Sequence, residues 1–152
     1  LISVLEHVKN PKSFLQKLKK YLSEKGKVII EVPSVNDPLV SSYNLNYYKS
    51  KYFRKVHLHY FNHKTLENIV TDSGLKVQKI LTKQTYSFTN HMNWIYSKKA
   101  QKNSNEATNI NLPVNLDNKF KKIFLKIDRI YKKELEKNNI GDIELAICKI
   151  KK

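Results

Sequence analysis

Three glycines punctuate this chain, and each stands where a helical pattern gives way to an apolar, strand-like one. Before the first, Phe14, Leu15, Leu18 and Leu22 recur at helical spacing. Asn10-Pro11 supplies an N-cap and a proline at the first helical position. A helix to about residue 23 is expected, closed by Gly26. Residues 27–32 follow, rich in β-branched side chains with little alternation, and Pro33 stops them. That is how a strand buried on both faces of a parallel sheet reads. Asn62 opens a second helix over 63–73, with Leu66, Ile69 and Val70 inward and Gly74 at its end. A strand over 75–81 follows. A third helix over 117–137 carries Phe120, Ile123, Phe124, Ile127, Ile130 and Tyr131 as a stripe expected to pack on the core. Gly141-Asp142 then turns into a last strand over 143–150. Residues 1–5 form an apolar stub, the end of a further strand. The alternation predicts an α/β sheet with right-handed crossovers, and 152 residues suit a single domain.

Between these elements, 34–61 reads as irregular and is loaded with rings: Tyr43, Tyr47, Tyr48, Tyr52, Phe53, Tyr60 and Phe61. Residues 98–118 read as a polar loop. The net charge is +16, which by itself suggests a polyanionic partner. Yet of 29 basic residues only Arg54 and Arg129 are arginine, the residue that phosphate recognition recruits for its bidentate fork. No dense run of five basic residues occurs. The charge is therefore read mainly as composition. A lone Cys148 excludes an intrachain disulfide and points to a cytoplasmic, reducing setting. No apolar run approaches the ~20 residues of a membrane span.

Ser3-Val-Leu-Glu-His-Val8, then Asn10-Pro11 and Phe14-Leu15, resembles the segment after the fourth strand of class I S-adenosylmethionine-dependent methyltransferases. Gly26-Lys-Val-Ile-Ile-Glu-Val-Pro33 is similar to that superfamily's fifth strand. His57-Leu-His-Tyr-Phe61, with Leu66 and Ser73-Gly-Leu75, is similar to the element before its sixth. The three motifs stand in the family's order over residues 1–81. The resemblance implies a partial Rossmann-like methyltransferase sheet, strands four to seven. The last strand, 143–150, would then be strand seven, inserted antiparallel beside strand five. Residues 82–141, with helix 117–137, would be an insertion, and 34–61 an acceptor-recognition loop or lid. The family's Gly-rich turn and its ribose-binding acid are missing. With Leu1 in place of an initiator Met, the chain is expected to be the C-terminal half of such an enzyme. S-adenosylmethionine would serve the complete enzyme, and none is expected to bind this chain alone.

The resemblance places Ile2, Ser3 and Glu6 toward the methyl donor. It places His7 and His59 as candidate catalytic groups, and His57, Tyr60 and Tyr48 on the side of an unidentified acceptor. A plainer reading of Ser3-x-x-Glu6 is a helix capping box. His57, His59 and His63 form H-x-H-xxx-H, which tempts a zinc assignment. No second cysteine is available and no acid lies nearby before Glu67, so no metal is expected. The truncated sheet edge would expose unpaired backbone and apolar side chains, so a homodimer is expected. The rival reading is a basic, Tyr-rich module that holds nucleic acid or another polyanion.

Overall fold

The computed structural model describes residues 1–99, 103–113 and 115–150. A 3-10 turn, Leu5–His7, leads into helix α1, Pro11–Lys19, and strand β1, Lys27–Pro33. Helices α2 (Pro38–Ser41), α3 (Asn46–Tyr52) and α4 (His63–Asp72) precede strand β2, Leu75–Lys83. Helices α5 (Phe88–Ser97), α6 (Ser104–Thr108) and α7 (Asn118–Lys137) then lead to strand β3, Ile143–Ile150. The molecule is α/β, with a three-stranded antiparallel sheet in the order β1-β3-β2. Ile2 adds one parallel bridge to Glu31 on the free edge of β1.

The N-caps follow the sequence. Asn10 accepts from Ser13 N at 3.0 Å with Pro11 behind it. Asn62 and Thr65 form a reciprocal capping box at the start of α4. Gly74 ends that helix with φ of +80°, where a side chain would be strained. The core lies on one face of the sheet. Val28, Ile30 and Val32 of β1 meet Leu15 of α1, Leu66 and Val70 of α4, and Ala146 and Cys148 of β3. Leu5 and Phe61 close this core toward the carboxyl end of β1.

Several expectations need correction. β1 is not buried on both faces: its burial alternates and Ile29 is 48 % exposed, because it sits in an antiparallel sheet whose covering helices pack on one side. Helix α1 stops at Lys19, not near residue 23, and Gly26 does not cap it. Gly26 instead sits in the turn into β1, donating to Ser23 O at 2.9 Å. Residues 34–61 are not irregular, since they hold α2 and α3. The expected loop 98–118 contains α6, and its residues 100–102 and 114 lie outside the described residues.

The stripe of α7 is the largest departure. Phe120, Ile123, Ile127 and Ile130 are 56, 52, 38 and 51 % exposed. Polar anchors on the adjoining face select the helix's rotation instead. Asp128 accepts from Phe88 N at 2.7 Å and Tyr131 bonds the His91 ring at 2.6 Å. Lys132 donates to Thr108 O at 2.9 Å and Glu136 accepts from Gln84 N at 3.1 Å. Phe124 and Tyr131, the remaining members of the expected stripe, are half-buried.

Candidate active site

A cavity of about 710 Å³ opens at the carboxyl end of β1. Val32 and Pro33 form its floor, and the 34–61 segment supplies Asp37, Tyr48, Lys51, Tyr52, Arg54 and His57. The segment after β2 closes the other side with Thr85, Tyr86, Asn90 and Trp94, and Asp142 stands beside β3. Aromatic contacts brace this wall. Tyr48 meets Trp94 edge-on at 4.9 Å, Tyr47 stacks on Trp94 at 6.2 Å, and Lys51 lies 5.4 Å from the indole centre. The Tyr47 hydroxyl donates to the Trp94 carbonyl.

Two buried carboxyls face this space. Asp37 caps α2 by accepting from Leu39 N at 2.8 Å, and also accepts from the Tyr48 hydroxyl at 3.0 Å. Burial pushes its pKa up to about 6, opposed by those two hydrogen bonds. Asp142 accepts from Thr85 N at 2.7 Å, Thr85 Oγ1 at 2.9 Å and Tyr86 N at 3.2 Å. Burial raises its pKa as well. Behind the wall, Glu144 is fully buried and accepts from Ser34 and Thr82 hydroxyls, each at 3.0 Å.

The residues singled out from the sequence divide. Ser3, Tyr48 and His57 line the cavity; His7, His59, Tyr60, Ile2 and Glu6 are not among its lining residues. His7 stands behind His57, their rings in T-shaped contact at 4.8 Å. Its Nδ1–H donates to Val56 O at 2.8 Å. Glu6 is 1 % exposed, with Oε1 3.8 Å from His7 Nε2 and no hydrogen-bond donor on either oxygen. Burial, then the neighbouring His7, lowers the His57 pKa. Ile2 is 57 % exposed on the sheet edge. The capping-box reading of Ser3 and Glu6 fails: the 3-10 turn has no side-chain cap, and Ser3 has φ of 50°. The Tyr60 hydroxyl accepts from Arg54 N at 2.7 Å and donates to Tyr52 O at 3.0 Å, which pins the loop. The three histidines of H-x-H-xxx-H diverge. His57 faces the cavity, the His59 ring lies against Phe61, and His63 stands 3.8 Å from Glu144.

A family model described as a methyltransferase domain matches residues 1–80, just over half of the chain. The chain belongs to the methyltransferase-domain family. No curated protein matches it. Membership implies S-adenosylmethionine as methyl donor of the complete enzyme. The glycines of this methyltransferase chain serve local geometry, Gly26 and Gly141 through close backbone contacts and Gly74 through its positive φ. A Cβ would meet Ser23 O at 3.0 Å from Gly26, Lys19 Nζ at 2.9 Å from Gly74, and Lys83 O at 2.4 Å from Gly141. The described residues therefore present no glycine-built cradle for the donor's nucleoside. Among those residues, no helix is long and apolar enough to cross a membrane.

Asp37, Trp94 and Asp142 escaped the sequence reading. Asp37-Pro38 repeats the cap signature of Asn10-Pro11, so a helix start there was legible. Trp94 is the only tryptophan of the chain. Nothing in its sequence surroundings ties it to Tyr48, 46 positions earlier by subtraction of residue numbers.

Proposed function

We propose that this chain forms the acceptor-binding side of an S-adenosylmethionine-dependent methyltransferase. In this reading the stub expected over residues 1–5, which keeps only the Ile2 bridge because Val4 and Leu5 already enter the 3-10 turn, corresponds to the family's fourth strand, β1 to the fifth, β2 to the sixth and β3 to the seventh. The parallel Ile2–Glu31 bridge and the placement of β3 antiparallel between its neighbours support it. The cavity then lies beyond the carboxyl end of strand five, the edge where open α/β sheets bind ligands.

One observation carries the proposal: within a family-matched chain, that edge opens into a cavity walled by aromatic rings and two buried carboxyls. Its volume falls within the ~300–1,000 Å³ of small-molecule sites. The walls suit a small planar acceptor bearing a hydroxyl or amine. Tyr48, Tyr52 and Trp94 pack its faces, while Asp37 and Asp142 accept its hydrogens. The donor supplies the methyl group when bound. This chain orients the acceptor's nucleophilic atom and excludes water, so positioning provides most of the rate. Near neutral pH the Asp37 carboxylate is mostly ionised and takes the acceptor's proton at Oδ2, a role for which His59 stands outside the cavity.

Because Trp94 is the sole tryptophan, its emission reports on occupancy. We expect saturable changes on titration with small hydroxylated aromatic compounds, abolished by Tyr48→Ala. A panel that leaves the emission unchanged up to ~1 mM, the regime of about 4 kcal/mol of binding, contradicts the assignment.

A further inference from the structure

We propose that Glu6, His7 and His57 form a binding site for one divalent transition-metal ion at the edge of the cavity. One ligand atom from each residue lies within 4.8 Å of the others. Of the histidines that the H-x-H-xxx-H spacing singled out, only His57 takes part. The three ligands come from the 3-10 turn Leu5–His7 and from the loop about 50 positions later.

Glu6 is the decisive member. Its side chain is 1 % exposed, and neither oxygen receives a hydrogen bond. A buried carboxylate with no donor and no cation is costly. Its backbone carbonyl is pinned by Leu58 N at 2.8 Å and His59 N at 3.1 Å, so the turn cannot readily swing the acid out to water.

The imidazoles are prepared in a complementary way. His7 Nδ1 faces the Val56 carbonyl at 2.8 Å and must carry the proton. That fixes the tautomer and leaves the Nε2 lone pair toward Glu6, the arrangement that orients metal-binding histidines. His57 Nδ1 is buried and has no partner. Donors about 2.1 Å from one tetrahedral ion stand about 3.4 Å apart, so side-chain rotations of about 1 Å close the cluster. Two imidazoles and a carboxylate suit zinc, manganese, iron or cobalt better than calcium or magnesium. Three protein ligands leave a coordination position open. His57 and Ser3 line the cavity, so that position is reached from it. If the cavity takes the methyl acceptor, the ion would hold an oxygen of that acceptor, a role that rests on the reading above. Metal binding itself does not.

The test uses the full chain, stripped by a chelator, dialysed and titrated with Co²⁺ and with Zn²⁺. Calorimetry gives stoichiometry, and visible absorption reports the cobalt coordination. We expect one ion per chain at micromolar affinity or tighter, with d–d bands of nitrogen and oxygen ligation. Glu6→Gln and, separately, His57→Ala should each weaken binding by at least about tenfold. His63→Gln should leave it unchanged. Far-UV circular dichroism identifies any variant that fails to fold, and the other variant then carries the comparison. Absence of binding to the wild-type chain at ~100 µM metal overturns the site. So does undiminished binding by either folded ligand variant, or equal loss in His63→Gln. Loss of methyl-acceptor binding with metal binding intact would instead count against the cavity assignment.

Discussion

The hydroxyl of Tyr48 donates to Asp37 Oδ2 at 3.0 Å, joining the ring that walls the cavity to a carboxyl that caps a helix. One side chain thus fixes backbone and site together. Its burial makes the site electrostatically expensive, and that expense is measurable as a pH dependence.

Asp37 has its pKa raised from 3.8 to about 6 in the folded chain, mainly by burial. A group raised in this way contributes stability that is fully present below pH 3.8 and lost as pH rises through about 6. The shift corresponds to at most about 3 kcal/mol. Urea unfolding of Asp37→Asn and wild type should therefore differ between about pH 4 and about pH 7. The variant's relative stability should rise by up to about 3 kcal/mol across that range. An unchanged difference would show that Asp37 is not desolvated.

His91 runs in the opposite sense. Burial and then Lys132 lower its pKa from 6.5 to about 4. Its contribution is present above pH 6.5 and is lost as pH falls through about 4. Relative to wild type, His91→Gln should become more costly by about 3 kcal/mol as pH rises through this window. A pH-independent cost would contradict the neutral, buried imidazole bonded to Tyr131.

Gly141 tests the turn into β3. A Cβ there would lie 2.4 Å from Lys83 O and 2.8 Å from Thr82 Cγ2. Gly141→Ala must push β2 and β3 apart beside Asp142. A loss of about 3 kcal/mol is expected, read as a fall in Tm of about 10 °C. A shift under about 2 °C would mean that the turn yields freely.

How much of this was legible depends on whether a signal is local. The strands 27–32 and 143–150 and the Asn62-capped helix were found because β-branched runs and caps act within a few residues. Helix α3 spans seven residues without a side-chain N-cap, and its rings are held by Trp94 and Tyr60 from elsewhere. Such an element has little local signature. The rotation of α7 was misread because its apolar stripe is real, while Asp128, Tyr131, Lys132 and Glu136 turn the adjoining face inward. The histidine spacing grouped His57 with His59 and His63, whereas the fold sets His57 beside Glu6 and His7. Glu6 and His57 meet only because the 58–59 backbone docks on the Glu6 carbonyl, a contact that no sequence window contains.

The exposed stripe of α7 also sharpens the expected association. Phe120, Ile123, Ile127 and Ile130 present an apolar face, and two-fold pairing of α7 with a second copy would cover it. Sedimentation equilibrium should give a dimer for wild type and a monomer for Ile123→Lys combined with Ile127→Lys. A wild-type monomer at micromolar concentration would contradict this pairing.

The central claim is that these residues hold the acceptor and not the donor. Titration of S-adenosylmethionine into the chain, followed by calorimetry with Trp94 emission recorded in parallel, tests it most directly. The account predicts no saturable signal up to ~1 mM, since the described residues present no glycine-built cradle. Micromolar affinity with a quenched Trp94 would place the donor in this cavity and contradict the assignment.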